Sequence, residues 1–264
     1  MTAPPPRRGP LAAGERVLLY DAKDRRYLVT LEAGGEFHSH AGIVAHDELI
    51  GAPEGTTLRS SRGATYRVLR PTLADFVLKM PRGAQVIYPK DIGPILMLAD
   101  IFPGARVLES GVGSGALSTA LLRAGAEVVG YELRADFAAR AVRNVEAFLG
   151  SDVLERYRVE ERDCYLGIDE TDLDRIILDL PEPWHVVKHA IDALTPGGTL
   201  LAYTPTIIQA AQFREALAAT DRFGRTETIE VLQRGWHIDG QSVRPDHRMV
   251  AHTGFLSHGR FLGS

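Results

Sequence analysis

The sequence has one cysteine, no long apolar run and no excess of positive charge, and each absence argues against a class of protein. Cys164 has no partner for an intramolecular disulfide, and a single cysteine argues against a structural zinc site. No apolar run approaches the roughly 20 residues of a membrane span, and the N-terminal segment lacks the apolar core of a signal peptide. These features predict a cytoplasmic protein in a reducing compartment.

The charge balance limits how the chain binds nucleic acid. A formal net charge of -4 at pH 7 argues against a surface that is basic throughout, so such binding requires a local patch. Residues 56–90 supply one, because seven lysines and arginines against Asp75 alone give a local net charge of +6. The same segment is also compatible with a solvated face that is balanced elsewhere in the chain.

The chain divides into three parts. Residues 1–10 are rich in proline and predict a flexible arm. Residues 11–70 contain short strand-like pieces separated by glycine-rich breaks, which predicts a small all-β domain. Residues 71–264 begin with two short helices, capped by Thr72 and Asp91, and then alternate strand with helix, as in a mostly parallel sheet. Two final strand-like runs, separated by DGQSVRPD, predict a terminal antiparallel hairpin.

A glycine-rich turn is the first feature that indicates chemistry. In LESGVGSGAL, Gly111, Gly113 and Gly115 follow a predicted strand and precede a predicted helix, so the backbone there can approach a ligand closely. Glu132 ends the next strand, where a carboxylate can accept hydrogen bonds from ribose hydroxyls. This arrangement predicts an adenosine-type ligand, but nicotinamide-dinucleotide proteins share it, so the ligand's identity stays open at this point.

The segment DLPEPW, residues 179–184, forms an acidic and aromatic corner after a predicted strand. Pro181 and Pro183 restrict the backbone and stiffen the turn, while Trp184 offers a flat face for packing or stacking. Asp179 ends its strand at the edge of the sheet where ligands of such folds bind. We therefore expect its carboxylate to have a fixed position in the site.

The motifs together resemble a known family. The spacing E-x-G-x-G-x-G is similar to the first motif of S-adenosylmethionine-dependent methyltransferases. With QVIYPKD, DLPEPW, LLAYTPT and LQRGWHI, the chain from roughly residue 14 to 257 resembles the TrmI family of tRNA (adenine-N1)-methyltransferases, in the style of its actinobacterial members.

The resemblance implies a fold and an activity. The fold is α/β: a Rossmann-like class I SAM-dependent methyltransferase domain, with a mostly parallel seven-stranded sheet and a C-terminal antiparallel hairpin, plus a small N-terminal all-β domain. The activity is transfer of a methyl group from S-adenosylmethionine to N1 of the T-loop adenine numbered 58, by a homotetramer whose partner is tRNA rather than DNA or a membrane.

The resemblance also assigns residues. Asp179, Tyr88 and Tyr203 are expected around the adenine, with Asp179 facing the charge that develops on it. The predicted cofactor site consists of Gln85, Glu109, Gly111, Gly113, Ser114, Gly115, Ala116, Leu117, Glu132, Asp163 and Asp179. The arginines expected to contact tRNA phosphates are Arg59, Arg62, Arg82, Arg234, Arg244 and Arg248. No metal ion is expected, since His237, His247 and His252 are too dispersed to form a typical site.

Two other interpretations are compatible with the sequence. The helix before the glycine loop is also typical of protein isoaspartyl carboxyl methyltransferases. A non-catalytic, tRNA-binding paralogue with the same fold is the second, although the intact glycines and carboxylates argue against it.

Overall fold

A computed structural model describes residues 8–83 and 85–263, and residues 1–7 of the predicted arm therefore lie outside the described residues. The chain forms two compact units. The first consists of residues 1–81 and 146–152, and the second of residues 82–145 and 153–264. The domain boundary predicted at residue 70 stays a prediction.

Among its described residues up to Pro81, the first unit contains six short strands and one helix. They are β1 (Arg16–Asp21), β2 (Arg26–Thr30), β3 (Glu36–Ser39), β4 (Gly42–Ala45), β5 (Thr57–Arg59), β6 (Thr65–Leu69) and α1 (Leu73–Lys79), with a 3-10 turn at His46–Glu48. Four strands pair as an antiparallel sheet in the order β2-β1-β6-β5, and β3 pairs with β4. Along β6, Tyr66 and Val68 are buried and their neighbours exposed, the alternation that gives a strand one core face.

Helix α1 begins at the predicted cap. The Thr72 hydroxyl accepts a hydrogen bond from the Asp75 backbone N–H, and the Asp75 carboxylate accepts one from the Thr72 backbone N–H. Within the helix, Phe76 is fully buried and its ring stacks on Phe148, with ring centroids 4.4 Å apart. This contact explains why residues 146–152 belong to the first unit.

The basic segment 56–90 is less uniform than its sequence indicates. Arg70 is 11% exposed and forms ion pairs with Glu15 and Glu54. Lys90 is 3% exposed and is paired with Asp91. These two cations are internal, so the exposed positive charge of the segment comes from Arg59, Arg62, Arg67, Lys79 and Arg82.

The second unit carries the alternating part of the chain. Its elements are α2 (Pro89–Leu98), β7 (Arg106–Ser110), α3 (Ala116–Arg123), β8 (Glu127–Glu132), α4 (Ala135–Leu149, whose last turn belongs to the first unit), β9 (Tyr157–Glu161), β10 (Leu173–Leu178), α5 (Val187–Ala193), β11 (Leu194–Thr204), α6 (Ile207–Ala219), β12 (Phe223–Glu230), β13 (Trp236–Asp239), β14 (Ser242–Pro245) and β15 (Phe255–Phe261). Short 3-10 helices lie at Ser151–Arg156 and Pro183–Val186.

Seven of these strands form one sheet in the order β12-β15-β11-β10-β7-β8-β9. Strand β15 is antiparallel to both of its neighbours, while the other pairs are parallel. The inner strand β10 is buried along most of its length, as expected where helices cover both faces of a sheet. The predicted fold class is confirmed.

Two local predictions need correction. Helix α2 begins at Pro89 after Tyr88 and ends at Leu98, so Asp91 is not its cap but a fully buried residue of its first turn. Proline at the first helical position has no N–H to leave unpaired, which favours the earlier start. The helix predicted over residues 184–194 is split into the 3-10 helix and α5, and β11 starts at Leu194.

The terminal hairpin is present, but its connection is longer than predicted. Strands β12 and β15 pair directly, and residues 231–254 between them form an excursion that contains the separate ribbon β13–β14. The predicted turn DGQSVRPD belongs to that ribbon, where Gly240 has a φ of +54° between the paired residues Asp239 and Ser242. Among the described residues, no helix is long and apolar enough to cross a membrane.

Candidate active site

The candidate site lies at the carboxyl ends of four parallel strands. The glycine loop follows β7, Glu132 ends β8, Asp163 lies two residues after β9, and Asp179 comes directly after β10. Because these strands are parallel neighbours, the topology brings all four features to one edge of the sheet.

Gly111 holds the glycine loop against the end of β10. Its φ is +85°, and a Cβ added to it would lie 2.1 Å from the Asp179 carbonyl oxygen. Its N–H donates to the Tyr131 carbonyl at 3.0 Å, and the Asp179 N–H donates to the Ser110 carbonyl at 2.9 Å. Only glycine fits this contact, which fixes the loop next to the Asp179 backbone.

The rest of the loop presents polar groups toward a cavity. The Glu132 carboxylate accepts hydrogen bonds from the backbone N–H groups of Gly113, at 2.9 Å, and Arg134, at 3.0 Å. Gly115 precedes α3 with a φ of +80°, and a Cβ there would meet Ala141 of α4 at 3.0 Å. The Ser114 hydroxyl is buried without a hydrogen-bond partner in the protein, which makes it available to a ligand.

Glu109 lies beneath the loop. It is 2% exposed, and its carboxylate accepts a 2.6 Å hydrogen bond from the Ser118 hydroxyl, which in turn accepts one from Tyr157. The pKa of Glu109 is raised to about 8, mainly by burial and in part by the negative charge of Asp179, while the hydrogen bond from Ser118 opposes the shift. Glu109 therefore ties β7 to α3 while also lining the cavity on the loop side.

Asp179 is the most perturbed carboxyl at the mouth of the site. Burial raises its pKa to about 7, and the neighbouring negative charge of Glu132 adds to the effect. Titratable groups shifted in this way by burial and by a like charge are typical of functional sites. A ligand that brings positive charge would favour the ionised form of Asp179.

Two cavities meet at Gly111. The first is lined by Gln85, Val86, Ile87, Glu109, Gly111, Val112, Gly113, Ser114, Ala116, Leu117 and Asp179. The second is lined by Ser110, Gly111, Tyr131, Glu132, Leu133, Arg162, Asp163, Cys164, Tyr165, Leu180 and Pro181. Of the residues predicted for the cofactor site, all except Gly115 line one of the two, and Gly115 lies between two lining residues of the first.

Tyr88 and Tyr203 are both half-buried residues of the second unit. Tyr88 immediately precedes α2. Tyr203 lies near the end of β11, where burial raises its pKa to about 12. The Tyr203 hydroxyl already donates a 2.6 Å hydrogen bond to the Thr253 carbonyl, so its ring rather than its hydroxyl is free to contact a substrate.

Two residues that were not predicted from the sequence hold the DLPEPW corner. Gln209 caps α6 together with Thr206, and its amide also donates to the Pro181 carbonyl at 2.8 Å. The Tyr165 hydroxyl accepts a 3.0 Å hydrogen bond from the Glu182 N–H. The capping signature T-x-x-Q signals Gln209 as a helix start, but no pattern signals its bond to the corner.

The six arginines predicted to contact tRNA are exposed, and none lines either cavity. Arg59 and Arg62 belong to the first unit and Arg82 to the second. Arg234, Arg244 and Arg248 lie in the excursion 231–254, with Arg244 on β14.

The cavities and their polar groups fit S-adenosylmethionine. The Ser114 hydroxyl without a partner and the Glu132 and Asp163 carboxylates provide hydrogen-bonding groups of the kind that such a ligand requires. The sheet order, with one antiparallel strand near its edge, completes the pattern. Fold and site together define a class I S-adenosylmethionine-dependent methyltransferase.

Comparison with known proteins gives the family. Residues 65–254 match the model of the tRNA methyltransferase complex GCD14 subunit, and residues 9–58 match the TrmI-like N-terminal model. The chain is 39% identical over 249 residues to the tRNA (adenine(58)-N(1))-methyltransferase TrmI of Thermus thermophilus, with 91% of this chain and 94% of that protein covered. The chain belongs to the TrmI family.

Two further relatives agree with this assignment. The tRNA (adenine(57)-N(1)/adenine(58)-N(1))-methyltransferase TrmI of Methanocaldococcus jannaschii is 34% identical, with 92% of this chain and 94% of that protein covered. The crystal structure of the tRNA (m1A58) methyltransferase TrmI of Aquifex aeolicus superposes with a TM-score of 0.84 at 30% identity, covering 97% of this chain and 100% of that one.

A solved structure from Thermotoga maritima has a name that implies methyl transfer to oxygen, whereas the names of the relatives above specify nitrogen. It superposes with a TM-score of 0.90 at 34% identity, covers 96% of this chain and 95% of its own, and is called a SAM-dependent O-methyltransferase. The acceptor atom therefore requires a direct test.

Replacing Gly111 should strongly weaken cofactor binding. In Gly111→Ala the new methyl group would clash with the Asp179 carbonyl and displace the loop. We expect the affinity for S-adenosylmethionine to fall by about a hundredfold or more, which corresponds to the free-energy cost of a strained backbone contact. Gly104→Ala is the matched control, because Gly104 has the same φ of +85° but nothing within 4 Å of the added Cβ. Calorimetric titration should show normal affinity in the control. Equal affinities in the two variants would contradict the steric argument.

The stability of the cofactor-free protein should fall as pH rises. Asp179 and Glu109 have folded-state pKa values of about 7 and about 8, above those of an unfolded chain, so the native state retains protons that the unfolded state releases. Between pH 5 and 7 the free energy of unfolding should drop by up to about 1.4 kcal/mol per pH unit for each group.

The two tryptophans lie in the second unit, so their fluorescence can follow its denaturant unfolding at each pH. Asp179→Asn removes one of the two titrating groups and should give a shallower slope. Equal slopes in the variant and the wild-type protein would show that Asp179 does not titrate in this range.

Proposed function

We propose that this protein transfers a methyl group from S-adenosylmethionine to N1 of adenine 58 in the T loop of tRNA. The observation that carries the proposal is the position of Asp179, a perturbed carboxyl whose backbone is packed on the cofactor loop at Gly111. Membership in the TrmI family supplies the substrate.

The substrate base has to leave the folded tRNA before it can react. N1 lies on the Watson–Crick edge of adenine, so we infer that the base is extruded into the site, as in other enzymes that modify a base. Tyr88 and Tyr203 supply aromatic faces for its ring, the sequence-tolerant way in which proteins hold an unstacked base. Recognition of the tRNA is then mainly recognition of its shape.

The chemistry requires alignment and charge stabilisation rather than a general base. When bound, S-adenosylmethionine supplies an electrophilic methyl group on a positively charged sulfur. Adenine N1 already has a lone pair, so no residue has to remove a proton to create the nucleophile. Asp179 accepts a hydrogen bond from the N6 amino group and so orients N1.

Asp179 also stabilises the product side of the reaction. Attack would form the bond between N1 and the methyl group as the sulfur–methyl bond breaks, so that S-adenosylhomocysteine leaves and the positive charge passes to the adenine. A carboxylate about 4 Å away favours that charge by roughly 4 kcal/mol at an effective dielectric constant near 20, less the cost of its own desolvation. Its pKa of about 7 lies close to neutral, so nearby positive charge holds it ionised during the reaction.

Exposed arginines supply the tRNA contacts. Arg59 and Arg62 on the first unit, and Arg82, Arg234, Arg244 and Arg248 on the second, are available to bind phosphates without reading sequence. The family resemblance further suggests a homotetramer that acts in the cytoplasm.

Methylation of a protein carboxylate, as by the isoaspartyl-type enzymes, is the second candidate; the Thermotoga maritima protein is named an O-methyltransferase, but the curated relatives do not favour this alternative. The two candidates differ in one observable. N1 methylation blocks the pairing edge of adenine and stops reverse transcriptase at the modified base, while methylation of a protein carboxylate leaves the tRNA unchanged.

Primer extension on an unmodified tRNA transcript tests the proposal. After incubation with protein and S-adenosylmethionine, we expect a stop at adenine 58 that requires the cofactor. Asp179→Ala should lower turnover by about a hundredfold while cofactor affinity is retained, the usual loss when one preorganised electrostatic group is removed. Glu182→Gln is the control, because this exposed carboxylate lies in the same corner and its loss should leave turnover normal. Absence of any stop overturns the proposed function, and normal turnover in Asp179→Ala removes Asp179 from the mechanism.

Replacing an exposed arginine by glutamate should weaken tRNA binding and leave cofactor binding unchanged. We expect Arg59→Glu or Arg62→Glu to lower tRNA affinity, most strongly at low salt, and to reduce the slope of log K against log salt by about one unit. Arg123→Glu is the charge-matched control, since Arg123 is exposed in the last turn of α3, which starts at the carboxyl end of β7 and leads away from the site. Filter binding across a salt series measures all three variants, and equal effects in Arg59→Glu and Arg123→Glu would refute the assignment.

A further inference from the structure

One buried ion pair holds both ends of the excursion 231–254. Lys90 and Asp91 lie in the first turn of α2 with side chains 3% and 0% exposed, and the Lys90 ammonium lies 2.8 Å from the Asp91 carboxylate. The same ammonium donates to the carbonyl of Val231, the residue after β12, at 2.5 Å. The other oxygen of Asp91 accepts a 2.7 Å hydrogen bond from the hydroxyl of Thr253, two residues before β15.

This helical turn also adjoins the proposed adenine pocket. Tyr88 immediately precedes α2. On the other side, Thr253 receives the hydroxyl hydrogen bond of Tyr203 at its carbonyl, 2.6 Å away. Gly254 lies so close to the Tyr203 ring that an added Cβ would be 2.5 Å from it. The position of the Tyr203 ring therefore depends on where Thr253 and Gly254 are held.

A second set of contacts keeps the same end of the excursion in place. His252 lies between the Glu230 carboxylate and the Pro205 carbonyl, with both distances 2.8 Å. Pro205 follows β11 just after Tyr203, so these contacts join the end of the excursion to the corner next to that tyrosine. The side chain of Thr253 is oriented by its hydrogen bond to Asp91 and not by these contacts.

A buried ion pair is weak evidence for stability, because two apolar residues of similar volume are often equally stabilising. The pair instead contributes orientation, because hydrogen bonds of charged groups have preferred directions. Here the bonds are to the Val231 carbonyl and the Thr253 hydroxyl, which lie near the two ends of the excursion 231–254.

We infer that Lys90, Asp91 and Thr253 are positioning residues for methyl transfer: the ion pair orients Thr253, and Thr253 sets the Tyr203 ring against the adenine. The inference rests on the proposed function, because it needs an adenine in that pocket. None of the hydrogen bonds described above for the glycine loop and Glu132 involves these three residues. Cofactor binding is therefore independent of them, whereas alignment of the base is not.

Thr253→Val tests the inference, because valine keeps the shape of threonine and removes only the hydroxyl bonded to Asp91. The change leaves the buried ion pair in place and so avoids the unpaired charge that Asp91→Asn would create. We expect turnover at saturating tRNA and S-adenosylmethionine to fall by about tenfold, the lower range for losing a hydrogen bond to a charged group. Thr253→Ser restores the hydroxyl and is expected to restore turnover to within about twofold of the wild-type rate.

Two further readouts separate positioning from a merely structural role. The cofactor dissociation constant of Thr253→Val should stay within about twofold of the wild-type value, while its melting temperature should fall by only several degrees, the cost of one lost hydrogen bond to a buried carboxylate. Tyr203→Phe removes the other bond to Thr253. If both residues act through one route, the double variant Tyr203→Phe with Thr253→Val should lose little more turnover than the more affected single variant.

The outcomes are distinguishable. A T-loop stop with wild-type protein, tenfold slower turnover in Thr253→Val, recovery in Thr253→Ser and non-additive effects with Tyr203→Phe support the inference. Unchanged turnover in Thr253→Val, a parallel loss of cofactor affinity, or fully multiplicative effects overturn it while the proposed function stands. Wild-type protein that produces no stop overturns the proposed function, and the positioning role falls with it.

Discussion

The site depends on a contact that leaves no room for a side chain. At Gly111 the turn after β7 packs against the Asp179 carbonyl, at the point where β10 ends. This single approach joins the loop that holds the cofactor to the residue proposed to face the substrate. Because the link runs through backbone atoms at the ends of two adjacent parallel strands, the sheet itself sets the distance between the glycine loop and Asp179.

Crowded negative charge is the second constraint. Glu109, Glu132 and Asp179 lie around one glycine loop, and the pKa values of Glu109 and Asp179 rise because burial and mutual repulsion disfavour ionisation. Positive charge brought near these carboxyl groups would favour their ionised forms.

Most of the fold, and most of the residues that line the two cavities of the candidate site, could be predicted from local patterns. The alternation of strands and helices, the glycine spacing and the carboxylates at strand ends are all visible in short stretches of sequence. The predictions that failed concern partners distant in sequence. Asp91 has the sequence context of a helix cap, yet its carboxylate bonds to Thr253. Lys90 and Arg70 have the appearance of surface charge, yet each is paired inside the protein. Such contacts depend on tertiary packing, which no local pattern encodes.

The excursion 231–254 connects strands β12 and β15, which pair with each other directly. Lys90 and Asp91 fasten the excursion at its base. Its interior can therefore lengthen, shorten or change composition during evolution while the catalytic scaffold stays the same. Divergence among related enzymes in the range of RNAs they accept would be expected to concentrate in this insert, which makes it a natural place to exchange sequence between them.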